Sequence, residues 1–490
     1  MKKLPQLVVM GLLIAVTFSC SKDRDDQIQP VADTLEVENF IYSAMNIWYL
    51  YKPNVPVLAD DRFADQDALN EYLAGFDTPE DLFKFGVKAP RPLDRFSIIT
   101  PDYRELERSF AGVSLNNGMN FGLGLAGGNS VVGFVRYVLP NTSAEAEGIM
   151  RGMFFTEVDA TPLTVTADDV LTDETRQLLA QTSYTLTLAE STPDGIAETG
   201  QTISLTKEEY TENPIFITKT FDNIAGQKVG YLMYNSFTSN FDDKLNAAFA
   251  DFKSEGVNAL VLDLRYNGGG SVRTATDLAA MITGQFPGEL FSSQVYNPQI
   301  QAALEAQDSE QLKNYFNTTI SDNKTPINSL NLNKVYVITS DGTASASELV
   351  INGLDPYIDV RQVGDTTVGK FQASVTFYDS EAPNFNRQGA NPNHFYAIQP
   401  LILTTANADG TTGFVQGLNP EVPLEERVST YGVLGDENEP LLKAALDEIR
   451  GGRSFNRIQN QGLRLPEIGE SGMDDPTYQR MYVDLPQLQE

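Results

Sequence analysis

Cysteine and histidine are almost absent from this chain, which has one of each in 490 residues. One cysteine cannot close an internal disulfide, and one cysteine with one histidine cannot build a zinc site from nitrogen and sulfur ligands. A serine–histidine–carboxylate mechanism would have to use His394. Positive charge is scarce too: 35 Lys and Arg stand against 66 Asp and Glu, a formal net charge of −31. So acidic a chain repels phosphate backbones, which argues against nucleic-acid binding. Beyond the first twenty residues no apolar run reaches the length of a spanning helix. The chain can still bury a core, because 41% of it is hydrophobic and only 21% charged. Its length corresponds to about three domains.

The lone cysteine has a telling position. Met1-Lys2-Lys3 is a basic start, Leu4 to Phe18 is apolar at signal-peptide length, and Cys20 follows at once. Ser21-Lys22-Asp23-Arg24-Asp25-Asp26 then turns polar and acidic. The arrangement resembles a bacterial lipoprotein signal, although Thr17 stands where such signals usually carry Leu. The expectation is a signal peptide over 1–19, lipidation at Cys20 and a tether over 20–34. The protein would then be exported to the bacterial cell envelope, held at the outer membrane by lipid alone, on its periplasmic or outer side.

Periodicity divides the rest. Val37, Phe40, Ile41, Ala44, Trp48 and Tyr51 follow helical spacing, closed by Pro53, and open a helical region over 35–107. Residues 108–208 read as short strands with Gly-rich turns, among them Val131–Leu139, Tyr184–Leu188 and Thr202–Leu205. From 209 to 451 strands alternate with helices: Val229–Tyr234, Ala259–Leu264 and Val335–Thr339 as strands, Val272–Ile282 and Ala346–Leu354 as helices. This predicts an α/β core on a mostly parallel, buried sheet. Residues 286–333 interrupt the alternation as an inserted subdomain, and 452–490 form a polar, peripheral tail.

Three stretches could carry chemistry. Asp263-Leu264-Arg265-Tyr266-Asn267-Gly268-Gly269-Gly270 runs from a buried strand through three glycines into a helix, so its backbone N–H groups can cradle an oxyanion or phosphate. It could equally be a tight turn with no ligand. Ser340 to Glu348, with Ser345 at a strand-to-helix junction, presents a hydroxyl where the helix dipole favours negative charge. Ser345 or Thr343 could instead simply cap the helix. Gly364 to Lys370 has phosphate-loop spacing, but Phe371 stands where magnesium binding needs Ser or Thr, and a strand follows instead of a helix. A nucleotide site is therefore rejected, which leaves Lys370 a surface cation on local grounds.

In this order the three stretches resemble the C-terminal processing peptidases, or tail-specific proteases. That family's serine lies in a Ser-Ala-Ser-Glu-like run, here on Ser345, and its general-base lysine follows 25 residues later in a Gly-Lys pair, here Lys370. Its glycine turn after an Asp-Leu-Arg strand falls on Asp263 to Gly270, and Gly417-Leu418-Asn419-Pro420-Glu421 resembles a turn near the end of its core. Phe121-Gly122-Leu123-Gly124-Leu125 looks like the carboxylate-binding loop of its PDZ domain. Val138-Leu139-Pro140, Ala144 to Gly148 and Arg151-Gly152 look like that domain's middle, with Met153 where Asp is more usual. The resemblance covers about 35–450. It implies a crotonase/ClpP-like α/β core, an inserted PDZ domain over 108–208 and a helical N-terminal domain.

The resemblance also implies a serine endopeptidase acting on unfolded or C-terminally recognised proteins, with no metal or organic cofactor. Ser345 would attack a peptide carbonyl and neutral Lys370 would take its proton. Free lysine titrates near ~10.4, so poising it near about 7–8 asks burial for roughly 3–5 kcal/mol. N–H groups of Gly268 or Gly269, and of Ala346, would hold the oxyanion, and Gly122, Leu123, Gly124 and Leu125 would hold a peptide carboxylate. Several family members place a glutamine four residues after the lysine. That position is Ser374 here, with Gln372 two residues after Lys370, and either could orient the amine, since alternate strand residues share a face. His394, in a turn-like loop, stands outside the dyad. The rival reading is a peptide-binding lipoprotein that keeps the fold without the activity. Metabolic labelling with a fatty acid should mark the wild-type protein and leave Cys20→Ala unlabelled. Equal labelling would remove the anchor.

Overall fold

In the computed structural model, residues 35–193, 195–452, 464–485 and 488 are described. Cys20, with the expected signal peptide and tether, lies outside the described residues. The first helix, α1 (Glu36–Trp48), buries Phe40, Ile41, Ala44, Met45 and Trp48, one stripe at helical spacing. Glu36 and Glu38 sit in its first turn, where the helix dipole favours them. These side chains share one hydrophobic cluster with Leu260, Leu278, Phe291 and Val337, so the N-terminal region packs directly on the α/β core. Ile98–Thr100 also pairs antiparallel with Ala397–Gln399 of that core.

The β-rich region is an antiparallel sheet of β1 (Met119–Gly127), β2 (Ser130–Val138), β3 (Phe154–Val158), β4 (Ser183–Thr192) and β5 (Gly195–Thr206), with α2 (Asp173–Ala180) beside it. It has its own core around Phe121, Leu123, Val135, Phe155 and Leu186. Gly122 to Leu125 are not a loop. They lie in the middle of β1, because alternating Phe121, Leu123 and Leu125 face that core.

The α/β region follows in chain order: β6 (Ile215–Ile224), β7 (Gln227–Tyr234), β8 (Ala259–Asp263), β9 (Gly270–Ser271), α3 (Val272–Thr283), β10 (Leu290–Tyr296), β11 (Lys334–Thr339), α4 (Ala346–Leu354), β12 (Asp359–Gly364), β13 (Gln372–Ser374), β14 (Leu401–Asn407) and β15 (Val422–Pro423). One six-stranded sheet has the order β6-β7-β8-β11-β12-β15. Only β6 and β7 pair antiparallel within it. All five residues of β8 are buried, as a strand covered on both faces requires. The segments that carry Gly268 to Gly270, Ser345 and Lys370 leave the carboxyl ends of β8, β11 and β12, where open parallel sheets form their ligand crevice.

A second six-stranded sheet contains β9, β13, β14 and β10. It corrects two expectations. Residues 286–333 do not stand apart: β10 pairs with β14, and Phe291, Leu304, Phe316 and Ile320 are buried in the main cluster. The polar sequence there hid well-spaced apolar anchors. The C-terminal segment is not peripheral either. Met481–Tyr482 pairs with β9 and β13, and Met481 is buried in the same cluster.

Phe291 tests the first correction. Its ring lies where an added Cβ on Gly353 of α4 would approach to 2.4 Å, so it seals β10 against the helix that begins at Ser345. Phe291→Ala should lower global stability by about 3–5 kcal/mol, read as one shifted transition in denaturant unfolding. A separate early transition, with the main one unmoved, would restore an independent subdomain.

Candidate active site

Ser345 stands between β11 and α4 with φ +68°, a left-handed value that a side chain adopts only when its surroundings impose it. The turn that holds it is tied to the end of β8: Thr343 Oγ1 donates to the Leu264 carbonyl at 2.9 Å, and Ala344 N–H to the Asn267 carbonyl at 3.1 Å. Asn267 then reaches the glycine turn, its Oδ1 accepting the Gly269 N–H at 2.9 Å. Gly269 has φ +109°, and a Cβ there would lie 2.5 Å from Ser345 Cβ and 2.8 Å from its Oγ. Only glycine fits against the hydroxyl. The Gly269 N–H is committed to Asn267.

Lys370 arrives from the far side. It is fully buried, like Ser345, and its Nζ lies 3.5 Å from Ser345 Oγ. Burial pushes its ammonium well below the usual lysine range, and the Arg480 guanidinium lowers it further, while Glu348 and Asp94 pull the other way. The Phe96 ring faces the amine at 5.2 Å. These are the conditions that leave a lysine neutral and basic.

Glu348, fully buried in the first turn of α4, joins the two segments. One carboxylate oxygen accepts the N–H of Ser345 at 2.7 Å and of Lys370 at 2.8 Å. The other accepts the Thr367 hydroxyl at 2.5 Å and the Gly369 N–H at 2.7 Å. Burial pushes its carboxyl up from the ordinary range, and these four donors oppose the push. Four donors on two oxygens match the acceptor capacity of an ionised carboxylate.

The glycine turn, the serine junction and the lysine loop thus converge in one buried crevice, and a comparison with known proteins covers the same stretch of chain. Residues 228–382 match Peptidase family S41, and residues 36–98 match the Peptidase S41 N-terminal domain. Both matched stretches are those of S41 peptidases. These matches indicate a serine-type peptidase. It is 24% identical over 323 residues to a carboxyl-terminal-processing protease of Picosynechococcus, covering 65% of this chain and 67% of that one. It is 26% identical to a chloroplastic C-terminal processing peptidase of Tetradesmus obliquus, covering 54% and 53%. The chain thus spans about two thirds of one of these curated relatives and about half of the other. Among solved structures, a Bacteroides fragilis protein assigned to the S41 proteases superposes with a TM-score of 0.62 at 25% identity, covering 86% of this chain and 98% of that one.

Neither residue expected to orient Lys370 bonds its amine. The Gln372 amide donates to the Tyr51 hydroxyl at 2.9 Å, and the Ser374 hydroxyl donates to the Met481 carbonyl at 3.1 Å. His394 pairs with Asp379 at 2.9 Å, and its Nδ1 accepts the Tyr396 N–H at 3.1 Å. Gly122 to Leu125 lie in β1 of the other sheet, with none of their bonds to the serine or the lysine. Glu348 went unassigned in the sequence, although a glutamate three residues after a helix-capping serine is a recognisable pattern. Phe96, Asp94 and Arg480 come from distant segments and carry no local signal.

Glu348→Gln keeps the shape but turns an NH2 group towards backbone donors. It should lower kcat by about 100-fold through displacement of the serine and lysine segments, with KM changed far less. Steady-state kinetics on an unfolded protein substrate checks this. An unchanged kcat would reduce Glu348 to a helix cap.

Proposed function

We propose that this S41 peptidase is an exported, lipid-anchored endopeptidase of the bacterial cell envelope that cleaves unfolded or C-terminally recognised proteins with a Ser345–Lys370 dyad. The observation that carries the reading is the 3.5 Å approach of Lys370 Nζ to Ser345 Oγ with both side chains fully buried. Catalytic contacts of this length shorten when substrate binds. Neutral Lys370 takes the Ser345 proton as Oγ attacks the peptide carbonyl carbon. The resulting oxyanion lies by the N–H groups of Gly268 and Ala346, each such donor being worth about 3–4 kcal/mol. Lys370 returns the proton to the leaving amine, and water then hydrolyses the acyl-enzyme by the same route in reverse. The β-rich region plays the part of a PDZ domain, since the edge of its β1 can accept an extended peptide by strand addition.

Ser345→Ala and Lys370→Ala should each abolish turnover of a denatured protein while staying folded, and the double variant should be no worse, because groups acting as one unit are non-additive. His394→Ala should keep most activity. The sign of the pH dependence follows from the lysine. Its pKa is held below the ordinary value, so activity is absent where the amine is protonated and rises with pH through that lowered pKa. Stability shifts the same way: the unfolded lysine binds its proton up to about 10.4, so folding is favoured as pH rises between the two values. An active Lys370→Ala beside an inactive, folded His394→Ala would overturn the dyad.

A further inference from the structure

The sheet of the β-rich region is completed by a strand from elsewhere in the chain. Residues Glu467–Glu470 run antiparallel along β1, with Glu467 opposite Gly124, Gly469 opposite Leu123 and Glu470 opposite Gly122. The Leu125 N–H donates to the Pro466 carbonyl at 3.0 Å, the Ser471 N–H to the Phe121 carbonyl at 2.8 Å, and the Phe121 N–H to Ser471 Oγ at 3.0 Å. This is how an extended peptide ligand adds to a sheet edge. Ile468 packs on the core of the region. Gly469 sits so close that a Cβ there would lie 2.9 Å from Leu171 Cδ1.

Charge fixes the register. Arg136 of β2 is 4% exposed and gives one guanidinium nitrogen to Glu467 and the other to Glu470. Arg176 of α2 pairs with Asp474. A buried arginine demands carboxylate partners, so this edge selects a strand with acidic side chains three residues apart.

The same segment continues to the catalytic crevice. Gln479 N would lie 3.2 Å from a Cβ on Gly268. A Cβ on Gly269 would lie 2.9 Å from the Arg480 carbonyl oxygen and 2.8 Å from Ser345 Oγ. One continuous stretch of chain therefore lines the β1 edge at one end and faces the nucleophile at the other.

We propose that residues 466–479 occupy the substrate path of this peptidase in cis, and that an extended, acidic segment of a protein substrate enters by displacing them from β1 and Arg136, while Met481–Tyr482 stay paired with β9 and β13. The inference rests on the peptidase reading above. A tethered ligand acts at an effective concentration on the order of mM, so resting activity is limited to the fraction of molecules whose segment is released.

The full chain carrying Glu467→Lys and Glu470→Lys tests this. Amide hydrogen exchange at Phe121 and Leu125 should accelerate, and kcat/KM on casein should rise about tenfold or more. Adding Arg136→Glu re-pairs the charges and should return both readings towards wild type. Gly469→Val, which forces the strand away from Leu171, is the second variant should the charge variant not fold, and should give the same two changes. A labelled peptide copying residues 464–485 should bind the released variant about tenfold more tightly than wild type. Faster exchange with unchanged or lower kcat/KM would show that the segment completes the site instead of blocking it, and overturns the proposal, as does exchange that stays at the wild-type rate. If no form hydrolyses casein, the peptidase reading fails, and the peptide still decides occupancy: equal affinity for the two forms overturns it.

Discussion

One buried carboxylate holds the candidate site together. Glu348 accepts hydrogen bonds from the backbones of both Ser345 and Lys370, which arrive from different strands of the sheet. A serine at φ +68° costs of order 1–3 kcal/mol. The hydrogen bonds on Glu348 hold that backbone in place. The same bonds bring the lysine loop down onto the serine, and the fit buries the amine. Strain at the nucleophile, neutrality of the base and their mutual approach are three results of a single contact.

A second ionic cluster places the crevice against the β-rich region. Arg265, fully buried, binds Asp263 at the end of β8, Glu439 at the N-cap of the helix Pro440–Ile449, and Glu426. Arg151 of the β-rich region reaches the same Glu426 at 2.6 Å and the Tyr266 hydroxyl at 2.8 Å. Burial would push Glu426 up, but Arg151 and Arg265 outweigh it and hold the carboxyl at about 2. Its contribution is therefore present above the ordinary carboxylate range and is lost only as pH falls towards that value. Tyr266 begins the glycine turn, so the β-rich region grips the element that flanks the nucleophile.

The sequence was most legible where burial imposes a pattern. The helix Ala346–Leu354 appears at its expected limits, because every one of its residues is buried and the serine junction marks its start. The strands Val229–Tyr234, Ala259–Leu264 and Val335–Thr339 likewise fall within a residue or two of β7, β8 and β11. Legibility failed where a residue's partner lies far along the chain. Gln372 and Ser374 were singled out beside Lys370, but their partners, Tyr51 and Met481, lie 321 residues before and 107 residues after them. Gly122 to Leu125 read as a loop because glycines alternate with leucines. In β1 that alternation is what lets Phe134 pack within 2.4 Å of where a Gly122 Cβ would be. The strand Glu467–Glu470 has no hydrophobic period, since its register is set by charge and by a neighbour's edge.

The pairing of Met481–Tyr482 between β9 and β13 has a consequence in time. The sheet that carries the glycine turn on one side and the strand after Lys370 on the other is bridged by Met481–Tyr482, with Met481 lying 107 residues beyond Ser374. Contacts of such sequence separation form late, because the loop they close must be ordered first. A chain emerging from its amino end cannot assemble this sheet until Met481 and Tyr482 have followed. The geometry around Ser345 is therefore withheld until that late pairing forms.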